Sequence, residues 1–209
     1  MKAHTQETQA TMTPEKSLQF LKEGNERFVK NLKANRNLLE QVNDTKEGQF
    51  PFATILSCID SRVSAELVFD QGLGDIFSVR IAGNFVNEDI LGSMEFACKL
   101  AGTKLIVVLG HTSCGAVKGA CDNAEMGNLT KLIQKITPAV NAVTEPKDES
   151  LRTSKNLDFV DTVSKKNVEL TIERIHKESP ILDDMEKNGE IRIIGAMYNI
   201  TTGAVEFYD

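Results

Sequence analysis

Three side chains with reactive chemistry leave one apolar run together. In TILSCIDSR the run stops at Cys58, and Asp60 and Arg62 follow at once. A second run, KLIVVLGHTSC, ends with His111 and Cys114. Two thiolates, an imidazole and a carboxylate or water make a tetrahedral donor set for zinc, whose soft and borderline ligands favour it over magnesium or calcium. The chain has 3 histidines. His4 lies near the start and His176 in a charged helical stretch, so His111 is the one placed at a strand end. Cys121 competes with Cys114 as a ligand, and the tighter HTSC spacing favours Cys114. Taken singly, His111 reads as a polar turn residue and the two cysteines as small buried residues. Clustered at two strand ends, Cys58, Asp60, His111 and Cys114 read as a metal site.

Asp60 decides what kind of site this is. As a fourth ligand it closes the coordination sphere, as in structural zinc sites. Bonded to Arg62 in a charge-assisted pair, it stays off the metal and leaves a position for water. The bland alternative is a surface ion pair worth ~0–1 kcal/mol. With Asp60 on Arg62, zinc lowers the pKa of a bound water from 15.7 toward ~7, and the resulting zinc-bound hydroxide suits hydration of a small electrophile. Asp60 then accepts the hydroxide's hydrogen bond and aims a lone pair at the incoming carbon. Two thiolates also offset the metal's charge more than neutral ligands would, which predicts activity that rises through mildly alkaline pH.

The elements that must position these groups follow from periodicity. Short apolar runs at Phe52–Ser57, Ile76–Val79, Lys104–Leu109 and Ile191–Tyr198 read as strands. Helical stretches over Ser64–Asp70, Ile90–Leu100 and Gly115–Ala120 alternate with the first three. Leu129–Val143 and Lys155–Lys177 carry helical spacing before the fourth strand, and Thr201, Thr202 and Gly203 turn the chain into Ala204–Tyr208. The expected fold is α/β: a mostly parallel central sheet of four strands with an antiparallel C-terminal edge strand, flanked by helices. In such sheets ligands bind beyond the carboxyl ends of the strands, where Cys58 and His111 fall.

An N-terminal helical arm precedes the sheet. Thr13 can cap it, Pro14 suits its first position, and Leu18, Leu21, Phe28, Val29 and Leu32 recur along it. By spacing alone this stripe packs on its own domain. Residues 1–12 read as a flexible tail and 13–209 as a single zinc-dependent α/β domain, of which 13–47 form the arm. At 209 residues with 41% hydrophobic and 26% charged side chains, the chain is long enough to bury a sizeable core. A net charge of -6 with no basic stripe argues against nucleic acid as a partner, and no apolar run approaches the ~20 residues that span a membrane. The first dozen residues lack the apolar segment of a secretory signal. The expected compartment is therefore the cytoplasm, or the periplasm if a leader has been removed.

CIDSR followed by GHTSCGAV resembles the signature of the β-class carbonic anhydrases, and RIAGN, SMEFA and GAMYNITTG resemble further blocks of that family. The match runs from about Gln49 to the C-terminus. The resemblance implies a zinc lyase that hydrates carbon dioxide reversibly to bicarbonate and a proton. Cys58, His111 and Cys114 would be the zinc ligands, Asp60 with Arg62 the catalytic dyad, and Asp60 a ligand only in a closed state. It further implies that Gln49 hydrogen-bonds substrate and that the chain forms a homodimer, or a tetramer of two dimers, with the N-terminal helix reaching across. That reverses the reading of the Leu18–Leu32 stripe. A regulated subgroup binds bicarbonate beside the active site with a tryptophan, an arginine and a tyrosine. Arg80 and Tyr198 match that pattern, but Ile55 stands at the tryptophan position. Ile81 replaces an asparagine common in the family.

Two other classes compete. Cys58 could act as a thiol nucleophile with Arg62 holding an anion, but the turn between them lacks the glycines that cradle phosphate oxygens. A closed zinc module could serve only as a binding or dimerisation domain. Another linear heteroallene, such as carbon disulfide or carbonyl sulfide, is compatible with the same motif residues.

Overall fold

Strand β1 (Ala53–Ser57) is buried at every residue, and so is β3 (Leu105–His111), as expected for strands covered on both faces. With β2 (Ile76–Arg80), β4 (Arg192–Tyr198) and β5 (Val205–Phe207) they form one five-stranded sheet in the order β2-β1-β3-β4-β5. The computed structural model describes residues 2–208. The first four strands are parallel and β5 returns antiparallel to β4, as the sequence pattern predicts. Register sets the carboxyl ends side by side. Ser57 lies between Arg80 and Leu109, and His111 is opposite Tyr198.

Alternation along the strands divides the core. Ala53, Ile55, Leu105, Val107, Leu109, Ile194 and Ala196 pack on one face of the sheet, against Leu18 and Leu21. Leu56, Ile106, Val108, Ile193 and Met197 pack on the other, against Met94, Val168, Ile175 and Leu182.

Ten α-helices lie among the described residues: α1 (Gln6–Ala10), α2 (Pro14–Val29), α3 (Leu38–Thr45), α4 (Ala65–Val68), α5 (Glu88–Glu95), α6 (Gly115–Cys121), α7 (Gly127–Ile133), α8 (Thr137–Ala142), α9 (Leu157–Glu178) and α10 (Pro180–Lys187). α5 runs directly into a π-helical turn at Phe96–Leu100, so the single helix expected over Ile90–Leu100 changes its hydrogen-bond period midway. α3 is a second helix within the 13–47 arm, beyond the Leu18–Leu32 stripe, and α10 falls where the periodicity reading places no helix. Both carry an N-cap side chain, Asn37 and Ser179, each bonded to the backbone three residues on, and Pro180 sits at the first position of α10.

The arm is docked on its own chain through Leu18, Leu21 and Phe28, while Val29 and Leu32 stay exposed. A charged cluster pins it: Asp70 accepts from Arg27 Nε at 2.6 Å, Arg36 Nη1 at 2.6 Å and the Ala34 N–H at 3.1 Å. Residues 2–12, read from sequence as part of a flexible tail, include α1, whose Gln9 donates to the carbonyls of Pro51 and Ala101 at 2.7 and 2.8 Å. Met1 and Asp209, the end residues of the two expected ranges, lie outside the described residues.

The long helix α9 crosses the face of β3 and β4 at close range. A Cβ on Gly110 would fall 2.7 Å from Val168 Cγ2, and one on Gly195 would fall 2.7 Å from Val168 Cγ1. The two glycines form a notch that fixes where α9 sits along the sheet.

Candidate metal centre

Cys58 follows the last residue of β1, His111 is the last residue of β3, and Cys114 is the N-cap of α6. All three are buried, and their donor atoms lie within 4.8 Å of one another. The two sulfurs are 3.9 Å apart. The imidazole Nδ1 is 3.0 Å from the Thr112 carbonyl. A carbonyl only accepts, so the proton sits on Nδ1 and the Nε2 lone pair is presented to the sulfurs. Nε2 is buried without a hydrogen-bond partner. An orphaned imidazole nitrogen beside two thiols is what a bound cation would satisfy. Zinc–sulfur bonds of about 2.3 Å in a tetrahedron set sulfurs about 3.8 Å apart, and the observed spacing fits.

The two thiols are shifted in opposite directions by their contact. The hydrogen bond from Cys114 pushes the Cys58 thiol down against the effect of burial, and the Gly83 N–H assists. Cys114 is pushed up by its bond to that same Cys58 and by burial. A cation bound between the two sulfurs would take the place of the thiol protons.

Asp60 stands next to this cluster but not in it. Its Oδ1 accepts from the Arg62 N–H at 3.0 Å and Nε at 2.9 Å, and Oδ2 accepts from Nη2 at 2.7 Å. Oδ2 is 4.0 Å from His111 Nε2. The bonds from Arg62 hold the Asp60 carboxyl well below the usual carboxylate range, despite partial burial. Three donors converge, and the nearest carboxylate is bonded to Arg62.

Cys121, the competing ligand, is not in the cluster. It packs with Ala120 and Ile133, and burial pushes its thiol up to about 11. Cys98 lies against Thr103, just before β3, and is pushed up to about 11 by burial as well. Gln49 is not brought to the centre within one chain. It is exposed and precedes β1, whose five residues put about 13 Å of strand between its two ends. Ile55 is fully buried in the core. Arg80 donates from Nε to the Cys58 carbonyl at 3.0 Å and from Nη2 to the Asp60 carbonyl at 2.7 Å. Its guanidinium therefore clamps the ligand loop.

Sequence reasoning missed the Gly83 N–H, which points at Cys58 Sγ from 3.4 Å. Gly83 has φ +79°, and a Cβ there would fall 2.3 Å from Ile136 Cδ1. The signal was the glycine in RIAGN, a position where the backbone must approach closely.

A mostly parallel sheet carrying a buried Cys2His cluster beyond its strand ends defines a metal-dependent α/β protein. The sequence model of the carbonic anhydrase family matches residues 53–205. Carbonic anhydrase 2 of Mycobacterium tuberculosis is 35% identical over 195 residues, covering 90% of each chain. The carbonic anhydrase of Mycolicibacterium smegmatis is 35% identical over 192 residues, covering 89% of each. Among solved structures, the β-carbonic anhydrase CcaA superposes with a TM-score of 0.72 at 25% identity, over 92% of this chain and 95% of that one. The chain belongs to the carbonic anhydrase family, in its β class. Zinc is the metal of that class, and the Cys58, His111 and Cys114 donors suit it.

Proposed function

We propose that this chain catalyses the reversible hydration of carbon dioxide to bicarbonate and a proton, with Cys58, His111 and Cys114 holding zinc and Asp60 and Arg62 as the catalytic pair. The observation that carries this reading is the separation of roles: three donors face one another while the Arg62 fork keeps Asp60 beside them as an ionised acceptor. Zinc supplies the Lewis acidity that makes water a nucleophile near neutral pH. Asp60 accepts a hydrogen bond from the attacking group, and so selects a hydroxyl bearing one proton and orients its free lone pair. Arg62 fixes that carboxylate in one plane. Arg80 fixes the loop on which both Cys58 and Asp60 ride. Asp60 would enter the coordination sphere only by leaving Arg62.

The structural-module alternative requires a closed sphere, and here the fourth candidate is tied up by three hydrogen bonds. The thiol-enzyme alternative requires an accessible sulfur, and Cys58 is 3% exposed. Cys58→Ser tests the assignment. Zinc content and carbon dioxide hydration should fall together in that variant while the circular dichroism of the fold persists. Hydration retained without zinc would overturn the assignment.

The working unit in this reading is a homodimer, and two dimers can pair further. A tetrameric β-carbonic anhydrase is known from Sordaria macrospora. Two features of this chain support self-association. Leu32, Leu38, Leu39 and Val42 expose apolar side chains along the 13–47 arm, and Ile59 is 60% exposed between Cys58 and Asp60. Gln49 keeps a substrate-binding role only at the site of a second copy. Residues 13–209 are read as one folding unit around the single sheet. The cytoplasm is kept as its compartment, in line with four free cysteines.

A further inference from the structure

The long helix α9 carries two polar side chains toward the turns that bear the metal donors. Asn167, 3% exposed, donates from Nδ2 to the Gly83 carbonyl at 2.7 Å. Gly83 in turn presents its N–H to Cys58 Sγ. Asp161 Oδ1 accepts the Ser113 N–H at 2.7 Å. Ser113 lies between His111 and Cys114 and has φ +55°, a left-handed conformation that a non-glycine residue holds only when its surroundings impose it. Neither Asn167 nor Asp161 is among the clustered donors.

We propose that Asn167 and Asp161 are positioning residues of the zinc centre, referencing both donor-bearing turns to α9. This rests on the reading that Cys58, His111 and Cys114 hold zinc. The helix is a suitable reference because Val168, adjacent to Asn167, is locked in the Gly110–Gly195 notch. Asn167 therefore has little freedom along the sheet, and its short bond fixes the height of Gly83. The amide of Gly83 then stabilises negative charge on Cys58. Through Asp161, the same helix holds the turn that sets the spacing of His111 and Cys114. Replacing Asn167 by leucine leaves the Gly83 carbonyl unpaired among buried groups, a state relieved only by moving the loop. Moving the loop withdraws the N–H from the sulfur.

The test compares wild-type protein with Asn167→Leu and Asp161→Ala. Zinc affinity is measured by competition with a chromophoric chelator, and the thiolate-to-metal charge-transfer band is recorded after cobalt substitution. Each variant should bind zinc about 10-fold more weakly or worse. Asn167→Leu should also shift the charge-transfer band, because the sulfur loses a hydrogen bond. Should that variant fail to fold, Asp161→Ala, which removes the acceptor of the Ser113 N–H from a half-buried helical position, decides by its zinc affinity. Variants that melt earlier but match the wild type in affinity and spectrum would reduce both residues to fold stabilisers and overturn the inference alone. Wild-type protein that takes up no zinc would overturn the functional reading and this inference with it.

Discussion

Replacing Asp60 by asparagine alters one atom pair and should remove most of the activity. Of the roughly four acceptor positions on a carboxylate, three are taken. Oδ1 accepts two bonds from Arg62 and Oδ2 accepts one. The remaining position is on Oδ2, the oxygen that faces His111 Nε2 at 4.0 Å. An amide cannot reproduce this. With its NH2 in place of Oδ2, donor meets donor at Arg62 Nη2 and the acceptor facing the metal centre is gone. With its NH2 in place of Oδ1, two Arg62 donors lose their acceptor. Either orientation breaks the fork. Loss of a positioned proton acceptor lowers rates by about 10²–10⁴-fold, or ~2.7–5.4 kcal/mol of transition-state stabilisation. Stopped-flow hydration should show that fall in kcat/KM. Metal analysis should show zinc retained, because the three donors do not include Asp60. Arg62 keeps Asp60 ionised far below neutral pH, so the wild-type pH profile between 6 and 9 should carry no step from this carboxylate. A variant as fast as the wild type, or one whose activity falls only in proportion to lost zinc, would refute the role.

Asp70→Asn should release the arm. Burial alone would raise the Asp70 carboxyl, but the bonds from Arg27, Ala34 and Arg36 outweigh it and hold it below its ordinary value. A depressed carboxylate stabilises the fold above its unfolded pKa, and the contribution is lost as pH falls through the folded value. Urea denaturation at neutral pH should show the variant less stable by about 3 kcal/mol. The gap should narrow toward acid, and an equal gap at every pH would contradict the assignment. Gln49 can be tested by mixing Gln49→Ala and Asp60→Asn chains. If Gln49 serves a second copy's site, half of the dimers are mixed and one site in each is intact, restoring about a quarter of wild-type activity. Activity no higher than the mean of the two parent variants would contradict a role for Gln49 at the second copy's site.

The strands and the metal centre were legible because each rests on a local signal. Val107 and Val108 lie in an unbroken apolar run, and Cys58 and His111 end two such runs. The C-terminal hairpin was legible for the same reason, through the turn chemistry of Thr202 and Gly203. α10 is announced by Ser179 and Pro180, but its eight residues are too few to show a helical period of their own. Which apolar residues of the arm pack on their own chain was not legible in the spacing. Leu18 and Val29 share a stripe, yet one is buried in its own chain and the other exposed. Asp161 and Asn167 give no sequence signal either. A polar residue in a 22-residue helix ordinarily faces solvent, and only the crossing of α9 over the sheet turns these two toward the donor turns. Arg80 stands out in the sequence only through resemblance to a bicarbonate pocket, and its bonds to the Cys58 and Asp60 carbonyls carry no sequence signal.

The decisive measurement is stopped-flow carbon dioxide hydration at pH 8.5 on protein with its zinc content determined in the same sample. One zinc per chain and a rate well above buffer, lost on chelation and restored by added zinc, is the expected result. Zinc-loaded, folded protein that does not exceed the buffer rate would contradict the assignment of Cys58, His111, Cys114, Asp60 and Arg62 to a hydration site.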